Sequence, residues 1–231
     1  MMALFDVDKT LIHRSSAHEN AFRHAFREVY GVDAGVELID YHGKTDPVIA
    51  EEVLLLRGLE GEEIEGQLPR FLRELREYVK HNINEENIEL IDGVEEFLSF
   101  LKSMDVPMGL VTGNLREIAF MKLERAGIAG YFSFGGFGSD SPDRNKLTEI
   151  AVRRGLRIGA TGSTVLFGDT PHDMRAGDHV GAVNIGISAG RYSDRALMAA
   201  GARHVFPDYR KPELRDTVLK IMAGDHRQQI I

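Results

Sequence analysis

The stretch ALFDVDKTL, residues 3–11, joins a short apolar run to two carboxylates. A run of this length that is apolar except for Asp6 and ends at Asp8 is typical of a buried strand. Side chains two positions apart share a face only where the chain is extended. The stretch therefore predicts a strand whose end presents Asp6 and Asp8 on the same side.

Beyond this strand, residues 15–87 are predicted to be entirely helical. Apolar residues recur there at helical spacing, Gly31 is a helix stop, and Pro47 opens a second helix. From Gly93 onward the pattern alternates between helices and short apolar runs. The further predicted strands span residues 106–112, 131–137, 164–167, 182–187 and 204–206.

Alternating strands and helices are typical of a parallel sheet with helices on both faces. We therefore predict the α/β class: a doubly wound, Rossmann-like parallel sheet that carries an all-helical insertion. The predicted boundaries are residues 1–14 and 88–231 for the α/β part and residues 15–87 for the insertion. A chain of 231 residues is long enough for a core domain and a small second one.

Composition narrows the classes of function. The formal net charge of -8 disfavours nonspecific binding to nucleic acid or to an anionic membrane, and we expect neither partner. No apolar stretch approaches the roughly 20 residues that span a bilayer, and the first residues lack the pattern of a signal peptide. The chain has no cysteine, which excludes disulfides and thiol chemistry. We expect a cytoplasmic protein.

Polar residues follow three of the predicted strands. Asp6 and Asp8 follow the first, and Asp169 and Asp173 follow the strand at 164–167. The segment Thr112-Gly113-Asn114, which we expect to begin a helix with Asn114 as its cap, follows the strand at 106–112. Functional groups collect at the carboxyl ends of parallel strands, so these segments should converge. Carboxylates brought together repel, and a hard divalent cation would offset them. An all-oxygen ligand set favours Mg²⁺.

The sequence resembles the haloacid dehalogenase-like hydrolases, and within them the phosphoglycolate phosphatase-like and β-phosphoglucomutase-like subgroup. The segment DVDKTL at 6–11 is similar to the first family motif and VTGN at 111–114 to the second. The segment GDTPHD at 168–173, followed by Ala176 and Gly177, is similar to the fourth. The helical insertion is similar to the cap domain of the family, so the resemblance covers the whole chain.

The resemblance implies a role for each of these residues. Asp6 would be a nucleophile that forms an aspartyl-phosphate, and Asp8 would be the general acid and base. Mg²⁺ would be bound by Asp6, the backbone carbonyl of Asp8 and Asp169. Asp173 would either bind the ion directly or hold a metal-bound water. Thr112 and the backbone N–H groups of Gly113 and Asn114 would bind phosphate oxygens. Because expelling an alkoxide needs a proton donor and displacing a halide does not, Asp8 favours phosphoryl transfer over dehalogenation.

The sequence departs from the family pattern at two places. Lys9 stands where the family usually has glycine. The basic third motif, usually Lys-Pro, is missing from residues 139–146, where a helix is expected to begin at Ser141-Pro142. Arg144 and Lys146 could both supply the basic group, but they lie roughly 200° apart on a helix, so one of them is expected to face the site. Helix geometry favours Arg144 only slightly.

The segment from His42 to Asp46 in the insertion has two interpretations. Thr45 or Asp46 could cap the helix that Pro47 opens, or the loop could close over the site with Lys44 or His42 contacting the substrate. We expect a small phosphorylated metabolite as substrate and hydrolysis as the reaction. A phosphomutase of the β-phosphoglucomutase type and a non-catalytic phosphate-binding module are the alternatives. The chain could be a monomer or a homodimer.

Overall fold

A computed structural model describes residues 1–13 and 15–228, with side chains as far as residue 224. The strands are β1 (Met2–Phe5), β2 (Met108–Thr112), β3 (Phe134–Phe137), β4 (Thr164–Gly168), β5 (Val183–Ile187) and β6 (His204–Phe206). The helices are α1 (Ser16–Tyr30), α2 (Asp46–Leu56), α3 (Gly61–Asn82), α4 (Val94–Ser103), α5 (Arg116–Arg125), α6 (Arg144–Arg157), α7 (Pro171–His179), α8 (Asp194–Ala199) and α9 (Pro212–Gln228).

The six strands form one parallel sheet in the order β3-β2-β1-β4-β5-β6. The chain builds one half of the sheet from β1 through β3 and the other half from β4 through β6. The strand order therefore reverses between β1 and β4, which is where open α/β sheets place their ligands. The predicted doubly wound α/β class is confirmed. Every residue of β1 is buried, as expected for a central strand covered on both faces.

Helices α1, α2 and α3 lie between β1 and β2 in the chain. Phe22 and Phe26 of α1 pack against Phe71 of α3, with ring centroids 6.0 and 4.9 Å apart. The chain enters and leaves this helical segment side by side, because His13 N donates to Glu89 O at 2.8 Å. This pairing is compatible with the predicted boundaries near residues 14 and 88, which remain a prediction.

Several predicted element boundaries were wrong by one to three residues, including the starts of α5, α6 and β3. Helix α5 begins at Arg116, with Leu115 at the N-cap position, so Asn114 does not cap it. Helix α6 begins at Arg144 rather than Ser141, because the Asp143 carboxylate accepts from Asn145 N and caps it there. Strand β3 begins at Phe134, since residues 129–131 form a short 3-10 helix. All three boundaries were set by side-chain contacts or turns that hydrophobic spacing does not encode.

In the part of the chain that the structure describes, no helix combines the length and the apolar character needed to cross a membrane.

Candidate active site

Asp6 leaves β1 at the point where the strand order reverses. Its backbone N–H donates to Phe167 O of β4 at 2.9 Å, so the carboxylate is fixed by the sheet. Asp8 lies two residues further on, and both side chains line one cavity of about 130 Å³. The Asp6 side chain is 10% exposed and that of Asp8 is 36% exposed, so the deeper carboxylate is Asp6.

Arg144, the first residue of α6, faces Asp6. Its Nη2 lies 2.8 Å from Asp6 Oδ1 and also contacts Asp173 Oδ1, while Nη1 donates to Gly43 O at 3.1 Å. Lys146 does not face Asp6, and its side chain is exposed. Because α6 turns by roughly 100° per residue, burying Arg144 carries Lys146 out to solvent. The structure thus distinguishes Arg144, which faces Asp6, from Lys146, which does not, a choice that the sequence left open.

Three buried carboxylates form the acidic cluster of the site: Asp6, Asp169 and Asp173. One oxygen of each lies within 4.8 Å of the others. Burial and the nearby charge of Asp173 raise the pKa of Asp6 to about 7, although Arg144 opposes the shift. Burial and the charge of Asp6 likewise raise the pKa of Asp169 well above its ordinary value. Burial is the larger cause of both shifts, and repulsion between the neighbouring carboxylates adds to it.

The acidic cluster fits a divalent metal ion. When ionised, its three carboxylates carry three negative charges, and Arg144 supplies one positive charge against them. The excess is buried, and the ligand atoms are all oxygen, as Mg²⁺ prefers. Asp173 also has a structural role, because its Oδ2 accepts from Thr170 N and Oγ1 at 3.0 and 2.7 Å in a capping box at the start of α7.

Asp8 has a cation of its own, Lys122 of α5. The Lys122 Nζ lies 2.8 Å from both Asp8 carboxylate oxygens, and its side chain is 1% exposed. Burial acts to raise the pKa of Asp8, but the charge of Lys122 and the hydrogen bonds from Lys122 and Asn114 outweigh it. The pKa of Asp8 is therefore held below its ordinary value, opposite in direction to that of Asp6.

Lys122 was not predicted as a functional residue from the sequence. A lysine in a helix is usually solvated, and Asp8 lies 114 residues away in the chain. One signal was available: Ile118, Ala119, Lys122 and Leu123 share the buried face of α5, so the lysine lies within the apolar stripe. A charged side chain inside such a stripe needs a buried partner.

The segment Thr112-Gly113-Asn114 lies beside Asp8. The Asn114 side chain donates to Asp8 Oδ2 at 2.8 Å and to Thr112 Oγ1 at 2.7 Å, instead of capping α5. All three residues line the cavity. Their backbone N–H groups precede the first turn of α5, and their role in phosphate binding stays a prediction.

Gly113 is a point of close approach between the helical segment and the sheet. A Cβ at this position would overlap the carbonyl oxygen of Lys44. Gly113 O accepts from Asp46 N at 2.9 Å, and Thr45 Oγ1 donates to Pro142 O at 3.2 Å. Thr45 does occupy the N-cap position of α2, but its side chain makes no capping hydrogen bond there. The 42–46 loop therefore packs directly on the ends of the strands.

The other two loop candidates also line the cavity. Lys44 Nζ forms an ion pair with Glu52 of α2, and His42 Nδ1 lies 3.0 Å from Asp40 Oδ1. Further side chains from the helical segment complete the wall: Ser15, His18, Glu19, Phe22, Val36, Tyr41, Asp46 and Ile49. The structure thus places both candidates beside the cavity, and contact of Lys44 or His42 with a substrate stays a prediction.

Lys9 adopts the left-handed backbone conformation, with φ of 62°. This region favours glycine, because a Cβ there crowds the following carbonyl. The glycine that the family pattern places after the second aspartate therefore has a conformational reason. The lysine keeps the same turn at the expense of local strain.

Comparisons with known proteins identify the family of this chain. The family model for haloacid dehalogenase-like hydrolases matches residues 3–187. A pyrophosphatase PpaX from Oceanobacillus iheyensis is 24% identical to this chain over 225 residues, which is 96% of each chain. A phosphoglycolate phosphatase from Shigella boydii is 27% identical over 202 residues, which is 80% of each chain. A hydrolase from Pseudomonas syringae has a similar fold, with a TM-score of 0.69, 20% identity, and coverage of 95% of this chain and 98% of that one.

Proposed function

The chain belongs to the haloacid dehalogenase-like hydrolases and is a phosphoric monoester hydrolase, and we propose that it hydrolyses a small phosphate monoester with Mg²⁺ through an aspartyl-phosphate on Asp6. One observation carries the proposal: the buried Asp6 carboxylate, bound by Arg144, lines a cavity beside two further acidic residues. Splitting hydrolysis into two displacements lowers each barrier.

Asp6 is the nucleophile. A carboxylate oxygen forms a bond to phosphorus while the bond from phosphorus to the leaving oxygen breaks. Arg144 donates to Asp6 Oδ1 and keeps the carboxylate in place, because its guanidinium is buried and also contacts Asp173 and Gly43 O. The fixed guanidinium further offsets negative charge on the transferring phosphoryl group.

Asp8 is the general acid and base. It gives a proton to the leaving oxygen in the first displacement and takes a proton from the attacking water in the second. Water then displaces Asp6 from phosphorus, which releases inorganic phosphate. Lys122 and Asn114 bind the Asp8 carboxylate, so its orientation is set before the substrate enters.

Asp6, Asp169, Asp173 and the backbone carbonyl of Asp8 are the proposed Mg²⁺ ligands. When bound, the ion neutralises repulsion between carboxylates and phosphate and polarises the phosphoryl oxygens. Thr112, Gly113 and Asn114 are proposed to bind the phosphate oxygens, with Lys44 near the leaving group.

The substrate is proposed to be of the phosphoglycolate or sugar-phosphate type. The cavity of about 130 Å³ is walled partly by the helical segment, which we propose acts as a cap domain over residues 15–87. Such a site accepts a small metabolite and excludes a folded phosphoprotein. The names of the relatives favour hydrolysis over the phosphomutase alternative. A cytoplasmic location and a monomeric or homodimeric state remain proposals.

A phosphate-release screen tests the proposal. Purified protein with Mg²⁺ is assayed against phosphoglycolate, sugar phosphates, nucleotides and p-nitrophenyl phosphate. Asp6→Asn keeps the shape of the side chain and should lower kcat by about 10⁴-fold or more, since it removes the nucleophile. Lys146→Met is the matched surface control and should retain activity. Equal rates for the wild type and Asp6→Asn on every substrate would refute the proposal, and a bisphosphorylated sugar product would identify a mutase.

A further inference from the structure

Lys122 has more partners than an ion pair requires. Besides both oxygens of Asp8, its Nζ lies 2.7 Å from Asn114 Oδ1 and 2.9 Å from His18 Nδ1. An ammonium group has three hydrogens and no acceptor, so the ring nitrogen of His18 that faces it must accept. The hydrogen of a neutral His18 ring is therefore on Nε2.

The Nε2 atom of His18 points toward Asp46. The distance from Nε2 to Asp46 Oδ1 is 3.3 Å, and both side chains are largely buried. The second oxygen of Asp46 accepts from Leu115 N at 2.8 Å, at the N-terminus of α5. Asp46 N also donates to Gly113 O at 2.9 Å. Asp46 thus binds the sheet part of the molecule through its backbone N–H and one carboxylate oxygen. Its other oxygen lies at ion-pair distance from His18 Nε2, which has no hydrogen-bond partner among the described residues.

The connected side chains belong to two parts of the chain. Asp8 and Lys122 come from the sheet part, whereas His18 on α1 and Asp46 on α2 come from the helical segment. Lys122 links Asp8 to His18 through contacts of 2.8 and 2.9 Å, and Asp46 lies 3.3 Å beyond His18. The four polar groups therefore cross from one part to the other beside the cavity. Moving the helical segment away would remove the His18 partner of Lys122.

We propose that Lys122 is a positioning residue for Asp8, and that His18 and Asp46 make this positioning depend on the docked helical segment. The inference rests on the proposed function, because it assigns Asp8 the proton transfers. With the segment docked, the ammonium is held from two sides and fixes both Asp8 oxygens. With the segment displaced, Lys122 loses one anchor and Asp8 is less well aligned.

A purely structural role for Lys122 makes a different prediction. Replacing a buried ion pair with apolar groups is often neutral for stability or even favourable. Neighbours on the α5 stripe are Ile118, Ala119 and Leu123, so an apolar side chain at 122 would continue the packing. Retention of a charge there is better explained by what it does to Asp8 than by stability.

A double-mutant cycle between Lys122→Met and Asp8→Asn tests the proposal. Lys122→Met should lower kcat by about 100-fold while KM changes little, because misaligning a proton-transfer group by about 1 Å has an effect of this size. In the Asp8→Asn background, the same substitution should have no further effect, since Lys122 acts through Asp8. Lys220→Met, on an exposed face of α9, is the matched control and should be silent.

Two outcomes would overturn the inference. One is a full effect of Lys122→Met on top of Asp8→Asn, which would mean that the lysine acts on the substrate directly. The other is a rise in KM with kcat unchanged. If Asp6→Asn abolishes turnover and Lys122→Met does not, this inference fails while the proposed function stands.

Asp46→Asn keeps the side-chain volume and tests the link to the helical segment even if Lys122→Met folds poorly. It should lower kcat by less than the roughly 100-fold effect of a 1 Å misplacement, and only when Asp8 is present. An Asp46→Asn variant with wild-type kcat, or one whose loss persists in the Asp8→Asn background, would refute the link.

Discussion

Asp6 and Asp8 lie two residues apart, and each faces a buried cation, yet their surroundings have opposite effects. Asp6 shares Arg144 with Asp173 and lies near Asp169, and its pKa is raised to about 7. Asp8 has Lys122 to itself, and its pKa is held below the ordinary value. Without a bound ion these surroundings favour the neutral form of Asp6 and the ionised form of Asp8, so a nucleophilic Asp6 depends on an added cation. One carboxylate needs an added cation, and the other already has one.

The largest expected difference between the two regions concerns stability. Arg144→Met leaves buried carboxylates without their cation and should lower the free energy of unfolding by about 3–5 kcal/mol at neutral pH without Mg²⁺. Lys122→Met should have a smaller effect, because Asp8 is 36% exposed and water can solvate it. Urea unfolding measures both. Lys146→Met should stay within about 0.5 kcal/mol of the wild type. Equal losses for Arg144→Met and Lys122→Met would contradict the comparison.

The pH dependence of stability should separate Asp6 from Asp8. The folded-state pKa of Asp6 is about 7 against an ordinary 3.8, so its neutral form is favoured on folding. Its contribution is complete below about pH 3.8 and is lost as the pH rises through about 7. Thermal unfolding of the metal-free protein should therefore shift to lower temperature over this range. Mg²⁺ should raise Tm more at pH 8 than at pH 5, because it binds the ionised carboxylates.

Substitutions at the two aspartates provide the controls for this pH profile. Asp6→Asn should flatten the slope between pH 4 and pH 7. Asp8→Asn should leave it in place, because a lowered pKa contributes stability above the ordinary value of 3.8 that is lost only at lower pH. Identical slopes for Asp6→Asn and the wild type would show that the titration of Asp6 does not cause the loss of stability over this pH range.

A substitution at Gly113 tests whether packing of the 42–46 loop aligns the surroundings of Asp6 and Asp8. Gly113→Ala places a Cβ against the backbone of Lys44 and Thr45, where nothing flexible can yield. We expect a loss of about 1–3 kcal/mol in stability, as for other overpacked sites, together with a fall in kcat. Gly66→Ala, inside α3 with open space around it, should stabilise slightly. Wild-type activity in Gly113→Ala would mean that loop packing does not align the site.

Lys9, the residue after Asp8, gives the smallest expected effect. Lys9→Gly relieves a left-handed lysine and should raise the free energy of unfolding by up to about 1 kcal/mol. Asp105, at φ of 53° in an exposed turn after α4, shares this conformation. Asp105→Gly should therefore stabilise to a similar degree. A loss of stability in Lys9→Gly would mean that the lysine side chain makes a favourable contact that outweighs its backbone strain.

The sequence predicted the fold class well because alternation of apolar runs and helices is a local property. It also indicated which carboxylates would converge, since the carboxyl ends of parallel strands meet. It could not choose Arg144 over Lys146, because the buried face of α6 includes Thr148 and Gly155 beside Leu147 and Ala151. A polar residue and a glycine do not mark a buried face in the sequence.

Lys122 and Asn114 were misjudged for a different reason. Their partner is Asp8, more than 100 residues away, and no local pattern reports such a contact. Asparagine is a residue type that commonly caps helices, and a lysine in a helix is usually solvated. In the folded protein, the side chains of both residues bind Asp8 instead. Residues that stabilise a charge across two parts of a fold are the ones that local reasoning misses.

The most direct test of the central claim is to trap the phosphoryl group on Asp6. Asp8→Asn with p-nitrophenyl phosphate and Mg²⁺ should accumulate the intermediate, because this leaving group departs without a proton donor while attack by water still needs a base. After an acid quench, peptide mass spectrometry should find one phosphoryl group on Asp6 and none on Asp6→Asn. Release of p-nitrophenol with Asp6 unmodified, or a phosphoryl group on another residue, would contradict the account.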